Sequence, residues 1–125
     1  MVTNQPVIAR GDVTLEELDE IHKKMETLLG LEGAYIDGLY FCPHHPDKGF
    51  DGEIPEYKID CDCRKPKPGL LFRAAQDFNI NLSQSWMIGD DDNDVFAGKN
   101  AGCKTIRIEK DKDLLHAVKH LLGDK

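Results

Sequence analysis

The stretch SWMIGDDDNDVFAGKNAGCKTIRI, residues 85–108, decides the fold. Ser85 to Ile88 reads as a short buried strand closed by Gly89, Asp92 to Ala101 as a helix, and Thr105 to Ile108 as the next strand. Two short apolar strands joined through a helix form a parallel crossover unit. The acidic residues Asp90, Asp91, Asp92 and Asp94 fall directly after the first of these strands. Open α/β sheets place their ligands at that end, and clustered carboxylates suit a hard cation such as Mg²⁺. The same run also suits a helix N-cap favoured by the helix dipole.

The pattern repeats on either side. Pro68 opens a helix running to about Phe78, with Leu71, Ala74, Ala75 and Phe78 apolar, and a last helix covers about Lys112 to Leu122. Thr14 to Leu29 is the clearest helix: Thr14 and Glu17 form a capping box, Leu15, Leu18, Ile21, Met25, Leu28 and Leu29 recur at helical spacing, and Gly30 is a stop signal. Tyr35 to Phe41 reads as a strand leading into a long loop, about residues 42–67. Val2-Thr3-Asn4-Gln5 has the look of the carboxyl end of a strand whose body is missing. The expected class is α/β, a Rossmann-like parallel sheet with crossover helices, a metal-bound loop and the first strand absent, all in one domain over residues 1–125.

The net charge of −7 argues against nucleic acid and anionic membranes as partners. A local ring of cations and N–H groups can still hold a phosphorylated substrate. No apolar run reaches the ~18 residues of a membrane span, and no signal-peptide pattern opens the sequence. The chain is read as cytoplasmic, where clustered reduced cysteines bind metal rather than pair as disulfides.

Cys42-Pro43-His44-His45 and Cys61-Asp62-Cys63 supply three thiols and an imidazole, from His44 or His45, in two short ligand pairs bridging the long loop. Zn²⁺ takes four such S/N ligands in a tetrahedron, and a closed set leaves no position for substrate, so the expected role is structural. Cys103, beside a predicted strand, is read as core packing. Thr3-Asn4-Gln5 offers a hydroxyl, amides and N–H groups to phosphate oxygens, and Arg64-Lys65 offers positive charge before a helix.

With Ile8-Ala9-Arg10-Gly11, Cys42-Pro43-His44-His45-Pro46, Cys61-Asp62-Cys63-Arg64-Lys65-Pro66-Lys67-Pro68-Gly69 and the acidic run from Gly89, the chain resembles a branch of the haloacid dehalogenase superfamily. That branch holds the histidinol-phosphate and D-glycero-D-manno-heptose-1,7-bisphosphate phosphatases. The resemblance selects His44 over His45 as the zinc ligand beside Cys42, Cys61 and Cys63. It implies that Thr3 holds the transferring phosphoryl group and that Lys65 neutralises nucleophile and phosphate. Asn4, Gln5, Arg10, Arg64 and Asp91 would contribute to substrate binding. Asp90 would be a Mg²⁺ ligand, with Asp94 a further ligand or a residue behind it. The heptose enzymes carry Lys at the position of Asp91, a departure that bears on the substrate. The implied substrate is a small phosphorylated metabolite: a heptose 1,7-bisphosphate or related sugar phosphate, with histidinol phosphate as the alternative. A non-catalytic phosphate-binding module stabilised by zinc is a further alternative.

The superfamily's reaction needs an Asp-x-Asp after a buried first strand, one carboxylate attacking phosphorus and the other protonating the leaving oxygen. The pairs Asp60/Asp62, Asp90/Asp92, Asp92/Asp94 and Asp111/Asp113 do not occupy that setting. The chain alone is therefore expected to be inactive, with the nucleophile upstream and an open sheet edge favouring self-association.

Overall fold

In the computed structural model the described residues are 1–45, 52–110 and 112–121. Residues 46–51 of the long loop and Leu122 of the expected last helix lie outside them. The chain forms two compact units, Met1–Arg64 and Lys65–Lys125.

In the first unit, β1 (Val2–Asn4) pairs in parallel with β2 (Tyr40–Cys42), Thr3 opposite Phe41. The expected strand over Tyr35 to Phe41 is thus only its carboxyl end, shifted to Cys42. The described pairing runs from Val2 opposite Tyr40 to Asn4 opposite Cys42, with Met1 bonded to Gly38 and Tyr40 just before it. Tyr35, the first residue of the expected strand, is 81% exposed. A short helix absent from the sequence reading, α1 (Val7–Arg10), follows Pro6 and buries Ile8 and Ala9. It ends at Gly11, φ +79°, where a Cβ would collide with the Gly52 carbonyl. The next helix, α2 (Leu15–Leu31), starts at the expected Thr14–Glu17 capping box. Gly30 does not stop it; the left-handed residue is Gly33, φ +78°. Of its apolar stripe only Leu18 is buried, while Leu15, Ile21 and Leu28 are exposed.

In the second unit, α3 (Gly69–Phe78) buries Leu70 and ends on Asn79 in the left-handed region, φ 54°. A 3₁₀ turn, Leu82–Gln84, leads into β3 (Trp86–Gly89), then α4 (Asp92–Ala101), β4 (Lys104–Arg107) and α5 (Leu114–Leu121). β3 and β4 are parallel, with Met87 opposite Thr105 and Gly89 opposite Arg107. The crossover unit read from the sequence is therefore present within a residue or two at each end. Among the described residues the strands form two parallel pairs, one per unit, rather than the single sheet expected. Among the described side chains of α5 only Ala117 is buried; Leu114 and Leu115, expected to face inward, are more than half exposed. Cys103 is half-buried, in keeping with a packing role.

α4 lies against its sheet because residue 98 has no side chain. A Cβ on Gly98 would sit 2.6 Å from Met87 Cβ and 2.7 Å from Thr105 Cγ2. Gly98→Ala should cost about 1–3 kcal/mol by overpacking, despite the better helix propensity of Ala. A denaturant melt reads it directly, and an unchanged or raised midpoint would contradict this packing.

Candidate functional site

The phosphate and metal residues read from the sequence fall into three local groups. The first is the carboxyl end of β1. Thr3 is half-buried, and its hydroxyl accepts from Gln5 Nε2 at 3.2 Å. Gln5 N–H is itself held by the Cys42 carbonyl at 2.7 Å, extending the ladder one step past the strand. Asn4 and Arg10 are half-buried nearby in the chain, Arg10 on the last turn of α1.

The second group is the cysteine cluster. Cys42 ends β2, and Cys61 and Cys63 return after the 3₁₀ turn Pro55–Tyr57. The donor atoms of Cys42, His44, Cys61 and Cys63 all lie within 4.8 Å of one another. Cys63 Sγ is 2.8 Å from Cys42 Sγ and 3.4 Å from both Cys61 Sγ and His44 Nδ1. His45, the competing imidazole, is buried, and its backbone N–H bonds the Tyr57 carbonyl at 3.0 Å. Burial raises the thiol pKa of Cys63 strongly and that of Cys42 more modestly. Burial also pushes Cys61 up, but hydrogen bonds from the neighbouring thiols and from the Cys63 and Arg64 backbones outweigh it, and its pKa is lowered. Three sulfurs and one imidazole nitrogen converging on one point fit a soft tetrahedral cation.

Arg64 follows directly. Its Nη1 is buried and has no hydrogen-bond partner among the described residues, a state that favours an incoming anion.

The third group surrounds the end of β3. Lys65 and Asp94 form an ion pair whose side chains are only 12% and 11% exposed. Asp94 Oδ2 also accepts from Asp91 N–H at 3.2 Å. Asp91 caps α4 through Asn93 N–H at 3.0 Å, so the capping reading of the acidic run holds for this residue. Gly89 makes the arrangement feasible: a Cβ there would collide with the Asp94 side chain. Asp90 is exposed at the mouth of the strand, and its carboxylate has no hydrogen bond or ion pair to another described residue. An uncommitted carboxylate at a strand end, on the turn whose Asp94 holds a part-buried lysine, is suited to a hard divalent cation. The sequence reading took Lys65 and Asp94 singly and missed their pairing. It also missed Arg107, which reaches the same acidic turn by donating from Nε to the Asp90 carbonyl at 3.0 Å. The signal was available, since Arg107 ends the strand that pairs with β3.

Comparison with known proteins bears on this geometry. A family model described as HAD-hydrolase-like matches residues 62–121. The D-glycero-beta-D-manno-heptose-1,7-bisphosphate 7-phosphatase of Pasteurella multocida is 42% identical over 111 residues, 88% of this chain and 57% of that protein. The D-glycero-alpha-D-manno-heptose-1,7-bisphosphate 7-phosphatase of Burkholderia mallei is 39% identical over 113 residues, 90% of this chain and 58% of that protein. The chain thus spans a little over half the length of the curated relatives it matches. The crystal structure of D,D-heptose 1,7-bisphosphate phosphatase from B. bronchiseptica, complexed with magnesium and phosphate, superposes with a TM-score of 0.81 at 28% identity, covering 99% of this chain and 73% of that one. No helix among the described residues is long and apolar enough to cross a membrane. With an acidic turn after β3, a buried lysine paired to it and relatives matching along most of its length, the chain belongs to the haloacid dehalogenase-like hydrolases.

Proposed function

We propose that this chain carries the phosphate- and metal-binding part of a cytoplasmic phosphatase acting on a small phosphorylated sugar, a heptose 1,7-bisphosphate by preference. The observation that carries the reading is the turn after β3: Asp94 pairs with the part-buried Lys65, and on the same turn the Asp90 carboxylate is left uncommitted. The named activities of the Pasteurella and Burkholderia relatives support the substrate class.

In this reading Lys65 supplies positive charge to a phosphoryl oxygen and Asp90 holds Mg²⁺. The Thr3 hydroxyl, already oriented by Gln5, donates to a phosphoryl oxygen. The half-buried Arg64, with its unpaired nitrogen, binds an anionic group of the substrate. Asn4, Gln5 and Arg10 add polar contacts; Asp91 acts chiefly by capping α4, and Asp94 by fixing Lys65. Bound Mg²⁺ would neutralise charge on the phosphoryl group, and phosphoryl transfer depends mostly on such positioning and neutralisation. Cys42, His44, Cys61 and Cys63 would hold Zn²⁺ as a closed structural site that pins the loop.

None of the Asp-x-Asp pairs in the 125 residues follows a buried strand in the manner the reaction requires, so binding is expected here without turnover. p-Nitrophenyl phosphate should be hydrolysed negligibly by the chain at any Mg²⁺ concentration. Clear turnover abolished by chelation would overturn that part of the reading. In competition titrations, a heptose 1,7-bisphosphate should displace orthophosphate better than histidinol phosphate does. The reverse order would favour the histidinol branch.

A further inference from the structure

Asp90, Asp91, Asp92 and Asp94 crowd the end of β3, and three of the four carboxylates are committed within the chain. Asp91 caps α4, Asp94 pairs with Lys65, and Asp92 pairs with Arg107. Arg107 holds one of these three, Asp92, and the backbone of the fourth, Asp90. It stands opposite Gly89 in the β3–β4 register, and the next N–H, that of Ile108, bonds the Gly89 carbonyl at 2.8 Å. The base of the guanidinium is therefore anchored to paired strand. From there Nε donates to the Asp90 carbonyl at 3.0 Å, and Nη1 pairs with the Asp92 carboxylate. A planar guanidinium with fixed donor directions constrains both acceptors at once, in separation and in orientation.

We propose that Arg107 is a positioning residue: it clamps the Asp90 carbonyl and the Asp92 carboxylate so that the Asp90 carboxylate is the one left to take a divalent cation. This rests on the reading of Asp90 as a cation ligand given above.

The plain alternative is an exposed ion pair of little consequence, since the Arg107 and Asp92 side chains are 45% and 71% exposed. The two readings predict opposite signs. By charge alone a guanidinium beside a cation site repels the cation, so removing it should tighten binding. As a clamp its removal should loosen binding even though a positive charge has gone.

Mn²⁺ alone, titrated into the 125-residue chain and followed by the electron paramagnetic resonance of the free ion, separates them. Arg107→Ala should weaken Mn²⁺ binding about tenfold, the scale typical of residues that orient metal ligands. Arg107→Lys, which keeps the charge but not the fork, should recover only part of the loss. Backbone ¹⁵N order parameters for residues 90–92 should fall in Arg107→Ala from about 0.85 toward about 0.6. Unchanged or tighter Mn²⁺ binding in Arg107→Ala, or unchanged order parameters, would overturn the proposal. Asp90→Asn distinguishes the two levels of inference. If it abolishes binding while Arg107→Ala does not weaken it, only the clamp fails. If Asp90→Asn binds as well as the unsubstituted chain, or that chain binds no Mn²⁺, the cation reading itself fails and the role given to Arg107 falls with it.

Discussion

Replacing Cys61 and Cys63 together by Ser should remove about one zinc per chain and unfold the first unit cooperatively, the largest effect we expect from any change in this protein. Among its described residues the unit has little else to hold it. Among the described residues its buried apolar side chains are Ile8, Ala9, Leu18, Cys42 and Cys63, and two of these are members of the cluster. Its sheet is a pair of three-residue strands, and two-stranded pairs have little stability of their own. Burial holds the Cys42 and Cys63 thiols protonated in the absence of a cation, so zinc must displace protons to bind. Structural zinc sites nevertheless contribute on the order of 10 kcal/mol near neutral pH, and this contribution falls as acid competes for the sulfurs. Metal analysis and thermal unfolding monitored by circular dichroism check it together. Zinc-free protein with an unaltered melting profile would show that the cluster is not structural.

The second large effect should come from Asp94→Ala. Asp94 is 7% exposed and pairs with Lys65 while accepting the Asp91 N–H. Its removal takes from the part-buried Lys65 ammonium the carboxylate paired with it, a loss of up to about 3 kcal/mol for a pair this sheltered. The capping-box contact to Asp91, worth about 1 kcal/mol, goes with it. Lys65→Met should also destabilise. The double replacement Lys65→Met/Asp94→Leu should lose clearly less than the two single changes added together, because it leaves no buried charge unpartnered. Urea unfolding of the four proteins measures the coupling. Additive effects would mean that the pair is not a buried unit. By contrast, the exposed Arg107–Asp92 pair should contribute little to the same urea midpoint.

The parts of the molecule legible in the sequence are those whose determinants lie close together along the chain. Residues 85–108 carry strand, turn, helix and strand signals in direct succession, and β3, α4 and β4 appear within a residue or two of their expected places. The cysteine cluster was legible for the same reason, since each half of it is a ligand pair two residues apart. What could not be read depends on partners far away. The strand expected from Tyr35 is seen only over Tyr40–Cys42, opposite Val2–Asn4, and the four-residue α1 is too short to show a period. The stripe on α2 predicted burial, but periodicity reports an apolar face and not whether anything covers it. Lys65 and Asp94 are 29 positions apart, and Arg107 is 17 from Asp90. Each of these charges reads alone as a solvated or catalytic group, and only the folded second unit shows which carboxylates are spent and which one remains.

Lys65 and the acidic turn after β3 are proposed to bind a phosphoryl group together with Mg²⁺. Calorimetric titration of orthophosphate into the 125-residue chain, with and without Mg²⁺, tests it most directly. Binding should be stronger with Mg²⁺ and should weaken about tenfold or more in Lys65→Ala, the loss expected for one hydrogen bond to a charged group. Orthophosphate binding that ignores both Mg²⁺ and the Lys65 substitution would contradict the account.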